Sequence, residues 1–393
     1  MIKKIILEKL YLLFIIILIG GYSAMSMLTT EHTSILGENK DSMLLKILTG
    51  FLIIFACGYS IINTQYLKWN RIGKTLLFVS IYMAVWRVIS LSPTVGLLSY
   101  IYHPMRDILI IALFTFSYII ASKSEELSNF YSTGMFIALL ITAFYYYKNW
   151  SFANEIDQAH LGTAYYALFL LPTILLTPSK WLRYVSTIIV GIIILSSFKR
   201  GGLIALVLGL VTYFFVKEVL FQKKFGKLIW FIVILVVLFI MLMIADNAMG
   251  NVLSTRLANI SEDGGRGRDQ VWKATWYMIK TTLDEQIIFG HGFNAVLRDS
   301  PLGLSAHNDF LEMLYDYGIV GFIPYLVLHF SLIKYLFRAI KAHDKRSPVI
   351  AFAYVMFFVL SMISHVIVYP WSALMAIFWG IMLPSQTNVI IEE

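Results

Sequence analysis

Charge is scarce in this 393-residue chain: Asp, Glu, Lys and Arg make up only 14% of it, against about 25% in a soluble globular domain. A water-soluble chain of this length would fold as two or three domains with charged surfaces, and so few charges cannot cover them. Cysteine is nearly absent. Cys57 stands alone in an apolar run, which excludes an intrachain disulfide and a thiolate metal cluster. No internal repeat, low-complexity tract or flexible linker interrupts the chain. These absences exclude a soluble enzyme, a disordered scaffold and a secreted disulfide module. What the chain has in abundance is hydrophobic residues, 59% of the total, laid out in long runs. It reads as an all-α, polytopic integral membrane protein.

A membrane span needs about 20 predominantly apolar residues, and by that rule about twelve helices cross the bilayer. The first begins near the N-terminus, where the apolar stretch Ile5–Tyr22 is too long for the core of a cleaved signal. The net charge of +8 is distributed as topology determinants are, with no basic stripe along one face to suggest nucleic acid. Alternate loops carry Lys68, Arg71 and Lys74, then Lys123, then Lys180 and Arg183, then Lys217, Lys223, Lys224 and Lys227, and finally Arg338, Lys341, Lys345 and Arg346. The short intervening loops before residue 165 carry only Lys40 and Lys148, apart from Arg106 at a helix start. The positive-inside bias then puts both termini in the cytoplasm. Residues 1–393 read as one integral membrane domain, with residues 246–315 as a large external loop inside it. Within that loop Trp272, Trp276, Ile279 and Leu283 recur at helical spacing and predict a surface or capping helix. A second helix is predicted to start near Ser305, with Phe310, Leu311 and Leu314 on one side.

The charged residues that go against this pattern are the candidates for chemistry. His32, His103, His160, His291, His307 and His365 fall on the outer side, where polar residues gather in any case. Arg200 is more telling, because cations are depleted in short outer turns. It sits in Lys199-Arg200-Gly201-Gly202, at the start of a helix. A helix N-terminus offers unpaired N–H groups, glycines admit a ligand close to the backbone, and a guanidinium grips phosphate with two bonds. An interfacial arginine reaching lipid headgroups has the same sequence signature. Gly264-Gly265-Arg266-Gly267-Arg268 makes a second plausible anion cradle, or else a solvated turn. The third constellation runs Gly290-His291-Gly292, then His307-Asn308, then Gly318-Ile319-Val320-Gly321. His307 in the first turn of its helix would be kept neutral by the dipole, ready to accept a proton near pH 7. A lone histidine is more often structural.

Taken together, Lys199-Arg200-Gly201, Gly267-Arg268 four residues before Trp272, Gly290-x-Gly292, and His307-Asn308 followed by Gly318-x-x-Gly321 resemble the O-antigen ligase and polymerase family of bacterial surface polysaccharide assembly. The resemblance implies a GT-C-like bundle with a helical periplasmic cap, in the inner membrane. It implies a donor glycan linked through pyrophosphate to undecaprenol, and an acceptor that is a glycan or a lipid A core. It also implies that two arginines and one histidine carry the reaction. By motif position these are Arg200 and Arg268 on the pyrophosphate and His307 as the base, with Arg266 an alternative to Arg268. Lys199, Asn308, Arg87 and Arg106 are secondary candidates, although Arg106 and Asp107 could simply pair with each other. No cofactor is expected. The nearest external carboxylate pair for a metal is Glu155 and Asp157, which reads more simply as a solvated loop, and guanidiniums can neutralise a departing pyrophosphate in its place. A repeat-unit polymerase, a ligase to lipid A core or protein, and more distantly a lipid-linked oligosaccharide flippase are the functions in contention. A flippase should show related halves and a charged midplane cavity, and the middles of these spans are nearly free of charge.

Overall fold

The computed structural model describes residues 2–29, 43–90, 97–150, 163–197, 199–248, 268–366 and 372–384. Among them the regular structure is helical throughout, with no strand. In chain order the helices are α1 (Ile2–Thr29), α2 (Met43–Ile62), α3 (Arg71–Ser90), α4 (Leu97–Lys123), α5 (Glu125–Trp150), α6 (Thr163–Leu175), α7 (Lys180–Ser196), α8 (Arg200–Phe214), α9 (Phe225–Ala248), α10 (Arg268–Lys280), α11 (Asp284–Phe289), α12 (Ala295–Asp299), α13 (Asp309–Lys341), α14 (Ser347–Ile363) and α15 (Ser372–Met382). Each of the twelve expected spans falls on a helix. Seven of these, α1 to α5, α13, and α8 with the π-helical turn Phe215–Phe221 that continues it, are long and apolar enough to cross a membrane. The chain is a multi-pass membrane protein.

The helices divide into two compact units. One comprises residues 1–203 and 366–393, the other residues 204–365.

In the first unit α4 is the central helix, with α2, α3 and α15 packed on it. The α15 contact is backbone-close: a Cβ on Gly380 would stand 2.5 Å from the Phe114 carbonyl oxygen. Between α1 and α5 a Cβ on Gly20 would stand 3.1 Å from the Ala138 backbone, and one on Gly134 2.3 Å from the end of the Ile16 side chain. Small residues at helix crossings gain van der Waals contact where lipid gives no hydrophobic drive. Buried hydroxyls in these spans are satisfied locally. Thr49 donates to the Leu45 carbonyl, Ser60 to Ala56 and Thr142 to Ala138, each one turn back, which spares an unpaired polar group in hydrocarbon. At the end of the unit where α4 gives way to α5, Lys123 pairs with Glu8 and donates to Asn63 Oδ1 at 3.2 Å.

In the second unit α13 and α14 pack together, and α14 also meets the π-helical turn. Gly209 of α8 lets Phe352 of α14 approach to 2.8 Å from where a Cβ would stand. The part of the expected external loop that is described is not irregular. It folds as α10, α11 and α12 against the start of α13, around a small core of Ile279, Ala295, Val296, Ala306 and Tyr315, with Trp272 and Leu311 packed on it. The predicted surface helix is present as α10, but its buried face is Val271, Thr275 and Ile279. Trp276 and Leu283 are exposed instead, because the neighbours α12 and α13 cover the side one residue round from the predicted apolar stripe.

Candidate active site

The most developed polar site in the second unit surrounds the start of α13. The predicted start near Ser305 is four residues early: α13 begins at Asp309, and Asn308 is its N-cap. Asn308 Oδ1 accepts from the backbone N–H groups of Phe310 and Leu311 at 3.0 and 3.1 Å, and its Nδ2 donates to the Met362 carbonyl at 3.0 Å. One side chain thus caps α13 and ties it to the end of α14. His307 lies directly before the cap rather than in the first helical turn. Its backbone is left-handed, with φ of 50°, and its side chain is exposed, so it projects from a fixed corner.

Three buried carboxylates occupy the opening of α13, where the helix dipole favours negative charge. Each has a partner. Asp309 Oδ2 accepts from the Tyr325 hydroxyl at 3.2 Å, and Asp316 Oδ1 accepts from the Val296 N–H at 2.9 Å. Glu312 Oε2 meets Nδ1 of His365 at 2.7 Å, both side chains 4% exposed. His365 follows the end of α14, its Nε2 lies 3.1 Å from Ser305 Oγ, and its ring contacts that of His307 with centroids 4.5 Å apart. Burial alone would lower the pKa of His365, but the carboxylates of Glu312 and Asp309 outweigh it, and the value stands above the ordinary imidazole range.

Arg268 belongs to the same surroundings. It is the first residue of α10 and half-buried, close enough for its charge to oppose protonation of His365. One turn along, Trp272 Nε1 donates to the Ala306 carbonyl at 2.7 Å, which ties the arginine-bearing helix to the residue just before His307. The spacing of Arg268 to Trp272 therefore has a physical basis: they share one helix face, and the tryptophan anchors it. Arg266, with the rest of the 264–267 glycine turn, lies outside the described residues, as do Glu155, Asp157, His32 and His160.

The glycine motifs of this unit serve the backbone. Gly290 ends α11 with φ of 85° and Gly318 kinks α13 with φ of 64°. A Cβ on Gly290 would stand 2.3 Å from the Asp316 carbonyl oxygen, and one on Gly318 2.4 Å from that of Ile288. The two segments therefore cross backbone to backbone, joined by His291 N–H to Tyr315 O at 2.9 Å and Gly292 N–H to Asp316 O at 3.0 Å. His291 is part of this clasp. Its ring stacks on Tyr315 at 3.9 Å, Nδ1 lies 3.1 Å from the Tyr315 carbonyl, and Nε2 lies 3.4 Å from Thr282 Oγ1.

Arg200 and Lys199 lie in the first unit. As expected, Arg200 is the first residue of α8. The preceding turn is built by Ser197, whose Oγ accepts from the Lys199 N–H at 3.3 Å, and by Gly202, where a Cβ would stand 2.9 Å from Ile194. Lys199 Nζ sits 5.6 Å over the Tyr165 ring. Arg87 and Arg106 are in this unit too. Asp107 pairs with Arg87 of α3 at 2.8 Å, both fully buried, rather than only with its neighbour Arg106, since adjacent residues on a helix point in different directions. Arg106 and Lys46 lie over the Tyr102 ring at 5.8 and 5.9 Å. Glu312 and His365 are the residues that motif reasoning passed over. Their signal was an acid in the first turn of an apolar helix and a histidine at the far end of the next span.

No curated protein matches the chain. Residues 185–326, a little over a third of its length, match the family model described as O-antigen ligase. That stretch holds Lys199, Arg200, Arg268, His307 and Glu312. Over residues 185–326 the chain is similar to the O-antigen ligase family.

Proposed function

We propose that this protein is a membrane glycosyltransferase that moves an undecaprenyl-pyrophosphate-linked glycan to a sugar hydroxyl, and that it acts as an O-antigen or capsular repeat-unit polymerase. The reaction takes place on the outer face of the inner membrane, with both termini in the cytoplasm. The acceptor hydroxyl attacks the anomeric carbon as the bond to the pyrophosphate oxygen breaks. His307 takes the hydroxyl proton, a contribution of about 10²–10⁴-fold, and the configuration at the anomeric carbon inverts. Arg200 and Arg268 hold the departing diphosphate without a divalent metal. A well-placed donor of this kind is worth about 3 kcal/mol. Lys199 adds charge beside Arg200, and Asn308 fixes the corner from which His307 projects.

The observation that carries this reading is the anchoring of α10 beside His307. The Trp272–Ala306 hydrogen bond holds the helix that starts with Arg268 next to the residue preceding the exposed imidazole. A second reading, favoured by the description of the matching family, is a ligase that passes the same donor glycan to a lipid A core or a protein. The chemistry is shared and only the acceptor differs.

Product length separates the two. Purified protein given a synthetic carrier-linked repeat unit alone makes a ladder of longer glycans if it is a polymerase. No product until lipid A core is supplied identifies a ligase. A flippase gives no product with either acceptor, and its transport survives His307→Ala.

A further inference from the structure

We propose that His365 is the positioning residue for His307: tied to Glu312 through one ring nitrogen and to Ser305 through the other, it braces the His307 ring and, as the cationic half of a buried ion pair, keeps a proton off it. The inference rests on the reading of His307 as the base.

The geometry supports each part. Glu312 Oε2 lies 2.7 Å from Nδ1, an ion-pair distance at which the carboxylate favours the charged imidazolium. Ser305 Oγ lies 3.1 Å from Nε2. A hydroxyl can accept from an imidazolium or donate to a neutral ring, so this contact holds in either state while the Glu312 contact favours the charged one. Ser305 is two residues before His307, and the ring of His365 lies 4.5 Å from that of His307, centroid to centroid. The left-handed backbone of His307 is thus held from three sides: by Ser305 and His365 before it, by the Asn308 cap after it, and by the Trp272 bond to Ala306.

The charges facing His365 come from every element around it. Glu312 and Asp309 of α13 favour its protonation, and Arg268 of α10 opposes it. The carboxylates outweigh burial and Arg268, so the surroundings favour the protonated form of His365. A like charge at this distance disfavours protonation of the ring beside it. Two histidines in contact are thereby given different tasks, His365 as a fixed cation and His307 as a neutral acceptor.

The test is a titration of the full chain in lipid nanodiscs with ¹³C-labelled histidine, the His307 signal being identified by its loss in His307→Gln. In His365→Gln the midpoint of His307 moves up by about one pH unit. Glu312→Gln moves it in the same direction, because His365 is no longer held charged. His365→Lys restores a cation and returns the midpoint toward that of the wild type. An unmoved midpoint in His365→Gln or Glu312→Gln, in protein that still melts cooperatively, overturns the proposal. If His365→Gln does not fold, Glu312→Gln and His365→Lys give the same reading. In transfer assays the acid limb of the rate profile follows the midpoint, and kcat falls while KM is little changed. The titration needs no substrate, so its failure is distinct from failure of the functional reading, which is marked by full transfer in His307→Ala.

Discussion

His291 and His307 look alike in the sequence, each a histidine beside a small residue shortly before a helix, yet the structure gives them opposite surroundings. His291 is stacked on Tyr315, with both ring nitrogens near acceptors or hydroxyls of its own unit. His307 is exposed on a left-handed corner, its neighbours Ser305 and Asn308 tied down on either side. One ring is spent on holding α11 to α13 and the other is presented outward. A motif histidine is therefore a candidate for chemistry when the scaffold immobilises its backbone and leaves its side chain exposed.

The sharpest way to break this comparison is to remove each ring. His307→Ala should lower glycan transfer by about 10²–10⁴-fold with the melting temperature nearly unchanged. His291→Ala should retain transfer within a few-fold and lose roughly 1–2 kcal/mol of stability. The reverse pattern would interchange the roles assigned here. Next in size are the guanidiniums. Arg268→Ala and Arg200→Ala should each cost about 10²–10³-fold in kcat, and lysine should restore only part of it because a forked donor is lost. A methyl group in the clasp should act on stability instead. Gly318→Ala meets the Ile288 carbonyl at 2.4 Å and imposes a strained φ, which costs about 1–3 kcal/mol for the backbone alone and is read from thermal unfolding.

The Glu312–His365 pair adds a pH signature. The pKa of His365 in the folded protein is raised above its reference of 6.5, so the pair stabilises fully below that reference and its contribution is lost as pH climbs through the raised folded value. The difference in melting temperature between wild type and Glu312→Gln should therefore be largest under mildly acidic conditions and narrow toward alkaline pH. A difference that widens with pH would contradict the assignment. The smallest effect is expected at Trp272→Phe. It keeps the packing, gives up the bond to Ala306, and should cost about 1 kcal/mol with a few-fold fall in kcat.

The sequence reveals the membrane bundle readily, because hydropathy over about 20 residues is a strong signal and each of the twelve apolar stretches became a helix. The start of α8 at Arg200 was legible for a local reason, a turn with two glycines behind a cation. What could not be read is whatever depends on which distant segments meet. The partner of Asp107 is Arg87, twenty residues away on another helix. The buried face of α10 follows from α12 and α13 lying over it. Gly290 and Gly318 carry no local sign that each leaves room for the backbone of the other. Glu312 and His365 stand at opposite ends of an α13–α14 pair, so only the antiparallel return of the chain makes them neighbours.

The central claim is that Arg200, Arg268 and His307 act on one substrate at one face of the membrane. Single cysteines at these three positions, in a background with Cys57 replaced by serine, can be labelled in intact spheroplasts with a membrane-impermeant maleimide. The account expects all three to react from outside, and to be protected by the carrier-linked glycan. Reaction of Arg200→Cys and His307→Cys from opposite faces would contradict it.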